Sequence, residues 1–163
     1  MVSTASPNLR LEIPAPGDYR GNWDLIMARL IDQIDDAIAG TTVVATTGGS
    51  STLTEVDYLE GAARHAAVTV TGALTSNATI VVPARSKSFV FLNQTTGAFT
   101  LSIKTPAGAT LLGPPQGSAG VIRVAATGEC TIAAPYVNVA TGAVTGVNYA
   151  LNTALDAEIA RAV

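Results

Sequence analysis

Charged side chains are scarce in this sequence. They make up 13% of its 163 residues, and hydrophobic residues make up 48%. An ordinary globular domain carries roughly 25% charged residues. Charge repulsion helps to keep soluble proteins apart, so a largely neutral surface favours association with other protein surfaces. The length suits one modest domain with terminal extensions, since domains typically hold roughly 100 to 200 residues.

The charge of the chain does not favour nucleic-acid binding. The net charge is −3, whereas a nucleic-acid-binding face needs clustered lysine and arginine. No run approaches the roughly 18 apolar residues of a membrane helix, and the first residues lack the basic flank and apolar stretch of a signal peptide. We therefore expect neither nucleic acid nor a membrane as a partner, and no export by a signal peptide.

Residues for metal binding or covalent catalysis are equally few. Cys130 is the single cysteine and His65 the single histidine, so the chain cannot form an internal disulfide or a usual zinc site by itself. His65 lies near Asp57 and Glu60 in the sequence, but no serine has the G-x-S-x-G setting of a hydrolase nucleophile. We predict a non-enzymatic protein that needs no metal and no cofactor.

Residues 1–21 are rich in helix and strand breakers, which predicts an extended arm. The breakers are Pro7, Pro14, Pro16, Gly17 and Gly21. Within the arm, three apolar residues alternate with polar ones, as in a short strand laid against another surface. These are Leu9, Leu11 and Ile13. Because such an arm is ordered only by a surface on which it lies, we predict that these three residues bind a partner.

A helical period follows, from Asn22 to Ala39. Apolar residues recur there at spacings of three and four: Trp23, Ile26, Met27, Leu30, Ile31, Ile34, Ala37 and Ile38. Asn22 is placed to cap the helix and Gly40 to end it. The stripe fits a helix packed on its own domain or against copies of itself. We predict that part of it binds a partner, namely Trp23, Ile26, Leu30 and Ile34.

Beyond Gly40 the period becomes two, and short strands are predicted at close intervals. They cover 66–71, 79–82, 87–93, 99–104, 121–125 and 130–133. This pattern predicts a mainly β fold, a small antiparallel β-sandwich or barrel flanked by an N-terminal and a C-terminal helix. We divide the chain into an arm and docking helix (1–40), a β-domain (41–140) and a C-terminal helix (141–163).

Two segments predict self-association. The strand Phe89 to Leu92 is apolar on both faces, so it must be covered twice, by a second sheet and a helix or by another subunit. The C-terminal segment has a narrow apolar stripe that is marginal for an isolated helix. We therefore predict a homo-oligomer, with a trimer as the first expectation. Its predicted contacts are Phe89, Phe91, Leu151, Leu155 and Ile159.

Four segments together resemble small structural proteins of tailed bacteriophages, of the tail-fibre, head-fibre and decoration types. They are GDYRGNWDLIMARLIDQIDDAIAG, TVVATTGGSSTLT, VTVTGALTSNATIVVPARSKSFVFLNQTTGAFTLSIKT and PPQGSAGVIRV, and the likeness covers about residues 14–135. In such proteins the pattern G-x-Y-x-x-x-W-D followed by I-D-x-A-I-x-G marks an N-terminal helix near the attachment point. It is matched here by Gly17, Tyr19, Trp23, Asp24, Ile34, Asp35, Ala37, Ile38 and Gly40.

The resemblance implies a virion protein assembled in the host cytoplasm, with other tail or capsid proteins as partners. Shaft repeats and a distal receptor-binding domain, which longer fibre proteins have, are missing from the pattern. This favours a short fibre or adaptor subunit that docks through its N-terminal arm and helix. Capsid decoration is the alternative. A carbohydrate-binding module is less favoured, because aromatic residues form only 5% of the chain and the phenylalanines fall in apolar alternation.

Overall fold

The computed structural model describes residues 3–145. A short hairpin of β1 (Thr4–Ala5) and β2 (Glu12–Ile13) comes first, and helix α1 (Trp23–Ala39) follows. A single-turn 3-10 helix lies at Ala62–Arg64. The remaining strands are β3 (Thr41–Ala45), β4 (Gly49–Thr52), β5 (Ala67–Ala73), β6 (Ala78–Val81), β7 (Lys87–Thr96), β8 (Leu101–Lys104), β9 (Leu111–Leu112), β10 (Ser118–Val124), β11 (Cys130–Asn138) and β12 (Val144–Thr145).

The strands beyond the arm form two mixed sheets. The larger sheet has the order β12-β11-β10-β7-β5-β3, and the smaller has the order β4-β6-β8-β9. The neighbours β3, β5 and β7 run parallel, as do β4, β6 and β8, whereas the other pairings are antiparallel. The chain passes from the larger sheet to the smaller three times, so three successive strand pairs stack in parallel.

The prediction of a mainly β fold is confirmed, but the prediction of antiparallel strands is wrong for half of the architecture. A period of two identifies a strand without giving its direction. Here the connections after β4 and β6 carry the chain back to the larger sheet. As a result, β5 runs parallel to β3, and β7 runs parallel to β5. The strands between residues 3 and 145 close no barrel.

One hydrophobic core lies between the two sheets. The larger sheet contributes Val68, Val70, Phe89, Phe91, Ile122 and Val124, and the smaller contributes Ile80, Leu101 and Ile103, all at most 2% exposed. The rings of Phe89 and Phe91 lie 5.9 Å apart, at a tilted angle. Inward residues alternate with outward ones along β7 and β10, which is the period that the sequence shows.

The N-terminal helix begins one residue later than predicted and ends where predicted. The Asn22 side chain makes no capping hydrogen bond. Gly40 ends the helix in extended backbone, with φ at −67°, so it is not the left-handed cap that the sequence predicted. Its small size is needed instead, because a Cβ there would lie 2.5 Å from the Asp36 carbonyl oxygen and 2.6 Å from the His65 ring. The predicted C-terminal helix lies outside the described residues.

Candidate functional site

Helix α1 exposes a continuous apolar surface. Five large side chains, here called the helix stripe, are each at least 42% exposed: Trp23, Met27, Ile31, Ile34 and Ile38. At about 100° per residue they fall within an arc of roughly 80° on one side of the helix. Trp23 is 54% exposed and Ile38 is 73% exposed. This is one coherent face, not a scatter of surface residues.

The helix packs on its own chain through a different face. Ile26 and Gln33 are its two buried residues, and the helical period places them to one side of the stripe. Gln33 Nε2 donates a 2.9 Å hydrogen bond to the carbonyl of Tyr58. The Asp36 carbonyl accepts from the amides of Gly40 and Ala66. The helix is therefore held on its chain through Ile26 and through hydrogen bonds of Gln33 and Asp36, and these contacts leave the stripe uncovered.

The arm lies on the same part of the chain as the helix. Arg10 donates to both carboxylate oxygens of Asp57, at 2.5 and 2.7 Å. These hydrogen bonds hold the pKa of Asp57 below its ordinary value of 3.8. The Tyr58 amide donates to the Arg10 carbonyl, and the Tyr58 hydroxyl donates to the Ser3 carbonyl. The arm is thus ordered, in the first place, by contacts with its own chain.

A buried carboxylate joins the arm to the helix. Glu12, in β2, accepts hydrogen bonds from the Arg29 guanidinium and the Tyr19 hydroxyl. The Glu12 side chain is 3% exposed, whereas that of Arg29 is 36% exposed. The geometry fixes the position of the arm against α1, so the two predicted docking elements form one unit.

Three predicted contacts in the arm are placed differently from one another. Ile13 is 51% exposed, whereas Leu9 and Leu11 are half-buried. They do not share one strand, because Arg10 has a φ of 55° and only Glu12–Ile13 pairs, with Thr4–Ala5. A left-handed residue interrupts the extended backbone that a single strand would need. The prediction of one alternating strand through all three residues is therefore wrong.

In α1, the structure leaves Trp23 and Ile34 exposed and Leu30 half-buried. Ile26 is only 5% exposed and packs within the chain, so it is not available to a partner as predicted. Met27, Ile31 and Ile38 belong to the exposed face, although the prediction did not select them. These three residues are part of the apolar pattern in the sequence. The pattern is wide, however, and does not determine which of its sides packs against the domain.

The predicted oligomer contacts in β7 need a similar correction. Phe89 and Phe91 are 1% and 0% exposed, because the core between the two sheets covers them. The outward residues of the same strand are Val90, which is 43% exposed, and the half-buried Leu92. A contact between copies through β7 therefore falls on Val90 and Leu92. The other predicted contacts, Leu151, Leu155 and Ile159, lie outside the described residues.

Two cations hold the loop that supports the arm. Lys87 Nζ donates to the carbonyls of Ala63, Arg64 and His65. Burial, with the nearby Arg64 guanidinium, lowers the pKa of Lys87 to about 8. The Arg64 side chain donates to the carbonyls of Leu9, Val56 and Leu59. Both side chains are occupied by backbone carbonyls, so we assign them a structural role.

Other chemistry is sparse in residues 3–145. His65 Nε2 lies 3.9 Å from a carboxylate oxygen of Asp36. Within this range, no three of the histidine, cysteine, aspartate and glutamate side chains are grouped so that they could hold a metal ion. Nor does any helix there have the length and apolar character needed to cross a membrane. Among the described residues, the helix stripe is therefore the feature that is best explained by a binding partner.

Comparisons with protein-family models, with curated proteins and with solved structures found no match to this chain. Its function is therefore inferred from its own sequence and surfaces.

Proposed function

We propose that this chain is a non-enzymatic structural subunit of a bacteriophage particle, a short fibre or adaptor that docks through helix α1. The observation that carries the proposal is the helix stripe, whose five large apolar side chains are exposed in the single chain. The likeness of residues 14–135 to small phage structural proteins supplies the class of partner. Another virion protein of the tail is the partner that we propose first.

The stripe suits a helix that lies in an apolar groove. In that mode, residues spaced by three and four along one face of a helix enter pockets of the partner. The residues of the helix stripe have this spacing: Trp23, Met27, Ile31, Ile34 and Ile38. Burying one large apolar side chain contributes roughly 1.5–3 kcal/mol. Trp23 is the expected anchor, because tryptophan is enriched among the residues that dominate binding energy.

The arm positions the docking helix. Its contacts through Glu12 and Arg10 tie the arm to α1 and to the loop at residues 53–66. Ile13, which is 51% exposed, is the arm residue that remains available to the particle. We propose that the arm sets the angle at which α1 meets the particle, and that it contributes a smaller contact of its own.

The two sheets form the rigid body of the subunit, which we propose to be a small β-sandwich acting as a spacer or surface knob. Its core is apolar on both inner faces, as such a body requires. The low content of charged residues, at 13%, permits dense packing of copies. We propose a homotrimer. A site on the capsid instead of the tail would use the same docking surface.

The proposal is tested on particles purified from cells in which the phage that encodes this chain replicates. Mass spectrometry of those particles should find the chain in a constant ratio to the major capsid protein. Antibody labelling in the electron microscope should then place it on the tail, or on the capsid if it is a decoration protein. Absence of the chain from washed, infectious particles would contradict the proposed function.

A further inference from the structure

The larger sheet has an outer face that α1 does not cover. Along β7, Phe89 and Phe91 face the core, whereas Val90 and Leu92 face away from it. The same alternation holds in β5 and β10. The outward residues of these strands form a surface on the far side of the sheet from the core.

The register of the strands brings the apolar residues of this outer face into rows. Val90 lies beside Val121 of β10, and Leu92 lies beside Ala119. The row through Leu92 continues through Thr69 of β5 to Val43 at one edge of the sheet, and through Val137 of β11 to Val144 at the other. We call the residues Val43, Val90, Leu92, Val121, Val137 and Val144 the outer sheet face.

The outer sheet face is almost without charge. The six strands of this sheet, as the structure describes them, contain two charged residues, Lys87 and Arg123. Lys87 lies on the core side, where its ammonium group is 4.7 Å from the centre of the Phe89 ring. Only Arg123 is left on the outward side. An antiparallel or mixed sheet that faces water normally alternates apolar residues with polar and charged ones, so this face is typical of a covered surface.

We infer that the outer sheet face is the surface through which copies of this chain pack on one another. The inference rests on the proposed self-association and names its surface. A neutral face meets no like-charge repulsion when it packs against its own copy. It also offers no charge pattern that a strongly acidic or basic partner could recognise. A second copy is thus the occupant that the charge distribution favours.

The outer sheet face is large enough to supply a substantial part of an interface between two copies. The five longer strands of the sheet, about 4.8 Å apart, span roughly 24 Å, and five residues along each span roughly 17 Å, which gives a flat area of about 400 Å². A stable interface buries about 800 Å² on each partner, counted as accessible surface, which exceeds flat area because side chains project. The β-branched valines of the face also suit the packing of one sheet on another.

The test compares charged substitutions on two exposed apolar positions in the full-length chain. Val90→Asp places a carboxylate in the middle of the outer sheet face. Leu112→Asp places one on the smaller sheet, where Leu112 is 61% exposed. Light scattering should give a multiple of 16.5 kDa for the unaltered chain and for Leu112→Asp. Val90→Asp should give the mass of one chain, with an unchanged circular dichroism spectrum.

A milder variant covers the case in which Val90→Asp does not fold. Val90→Thr keeps the β-branched shape and the strand propensity but buries a hydroxyl group at the interface. It should raise the concentration at which half of the oligomer dissociates by roughly tenfold, without lowering the melting temperature of the dissociated chain.

Three results would overturn the inference. One is an unaltered chain that is monomeric at micromolar concentration, and another is an oligomer that persists in both Val90 variants. The third is an oligomer that dissociates on Ile34→Asp but not on Val90→Asp, since copies would then meet through the helix stripe and the outer sheet face would belong to another partner. Incorporation into particles is measured separately, so loss of this inference leaves the docking proposal intact.

Discussion

Glu12 and Arg29 form an ion pair whose two partners differ sharply in exposure: the Glu12 side chain is 3% exposed and the Arg29 side chain 36%. The pair connects the second strand of the arm to the middle of α1. Because the carboxylate is far more deeply buried than the guanidinium, removing one partner does not have the same consequence as removing the other.

We expect Arg29→Ala to destabilise the chain more than Glu12→Gln does. Loss of Arg29 leaves a buried carboxylate with Tyr19 as its remaining side-chain donor, a situation that costs about 3 kcal/mol in other proteins. Glu12→Gln leaves an arginine whose side chain is 36% exposed, so water can reach part of its guanidinium, and the substitution should cost about 1–2 kcal/mol. Urea unfolding of both variants measures the two costs. An equal or reversed order would mean that Glu12 is hydrated and that the arm is not held on the helix.

Lys87 predicts a specific dependence of stability on pH. Its pKa in the folded chain is lowered to about 8, from an ordinary value of 10.5, mainly by burial. Between these two values the unfolded chain binds more protons than the folded chain, so the free energy of unfolding rises with pH. Lys87→Met lacks this contribution. From about pH 7.5 to pH 9.5, the unfolding free energy of the unaltered chain should therefore rise relative to that of the variant. This range begins just below the lowered pKa of Lys87 and ends below its ordinary pKa.

Urea unfolding at several pH values within that range checks the dependence on Lys87. A difference that stays constant would show that the three carbonyls around Lys87 Nζ stabilise its charge as well as water does. The loss of these three hydrogen bonds also predicts that Lys87→Met loosens the loop at residues 53–66, visible as faster amide exchange there.

Gly40 should not tolerate a side chain, although its backbone angles suit any residue. A Cβ at this position would lie 2.5 Å from the Asp36 carbonyl oxygen and 2.6 Å from the His65 ring, so Gly40→Ala forces the last turn of α1 and the His65 ring to shift. We expect a cost of about 1–3 kcal/mol, the usual range for overpacking. Gly49 is the matched control, because it has open space but a φ of 75°. There, Gly49→Ala should cost only about 1 kcal/mol, from backbone strain alone. Thermal unfolding of the two variants compares the costs.

Local patterns in the sequence were enough to predict much of the fold. The three- and four-residue spacing from Trp23 onwards located α1 to within one residue, and the period of two located β7 and β10. Periodicity depends only on near neighbours in the chain. Strand direction depends on where the connections lead, so the parallel stacking of β3, β5 and β7 was not predicted.

The candidate site was predictable in part for a related physical reason. The apolar stripe of α1 was visible in the sequence, but its width allowed the helix to rest on either Ile26 or Ile31. The face that packs against the domain is determined by polar contacts with residues distant in sequence, such as the hydrogen bond from Gln33 to Tyr58. In the same way, alternation in β7 indicated two apolar faces, and only the position of the second sheet decided that Phe89 and Phe91 fill the core. The surface residue Val90 was then left for an interface.

The central claim, docking through the helix stripe, is tested most directly by counting copies of the chain on particles. Ile34→Asp alters the stripe, and Leu112→Asp is the matched control on an exposed apolar residue of the smaller sheet. Both variants should fold, since both positions face solvent. Quantitative mass spectrometry of particles assembled with each variant should find normal occupancy for Leu112→Asp and, for Ile34→Asp, a reduction of at least about tenfold, as expected for a charge buried in an apolar contact. Equal occupancy of the two variants would contradict docking through α1.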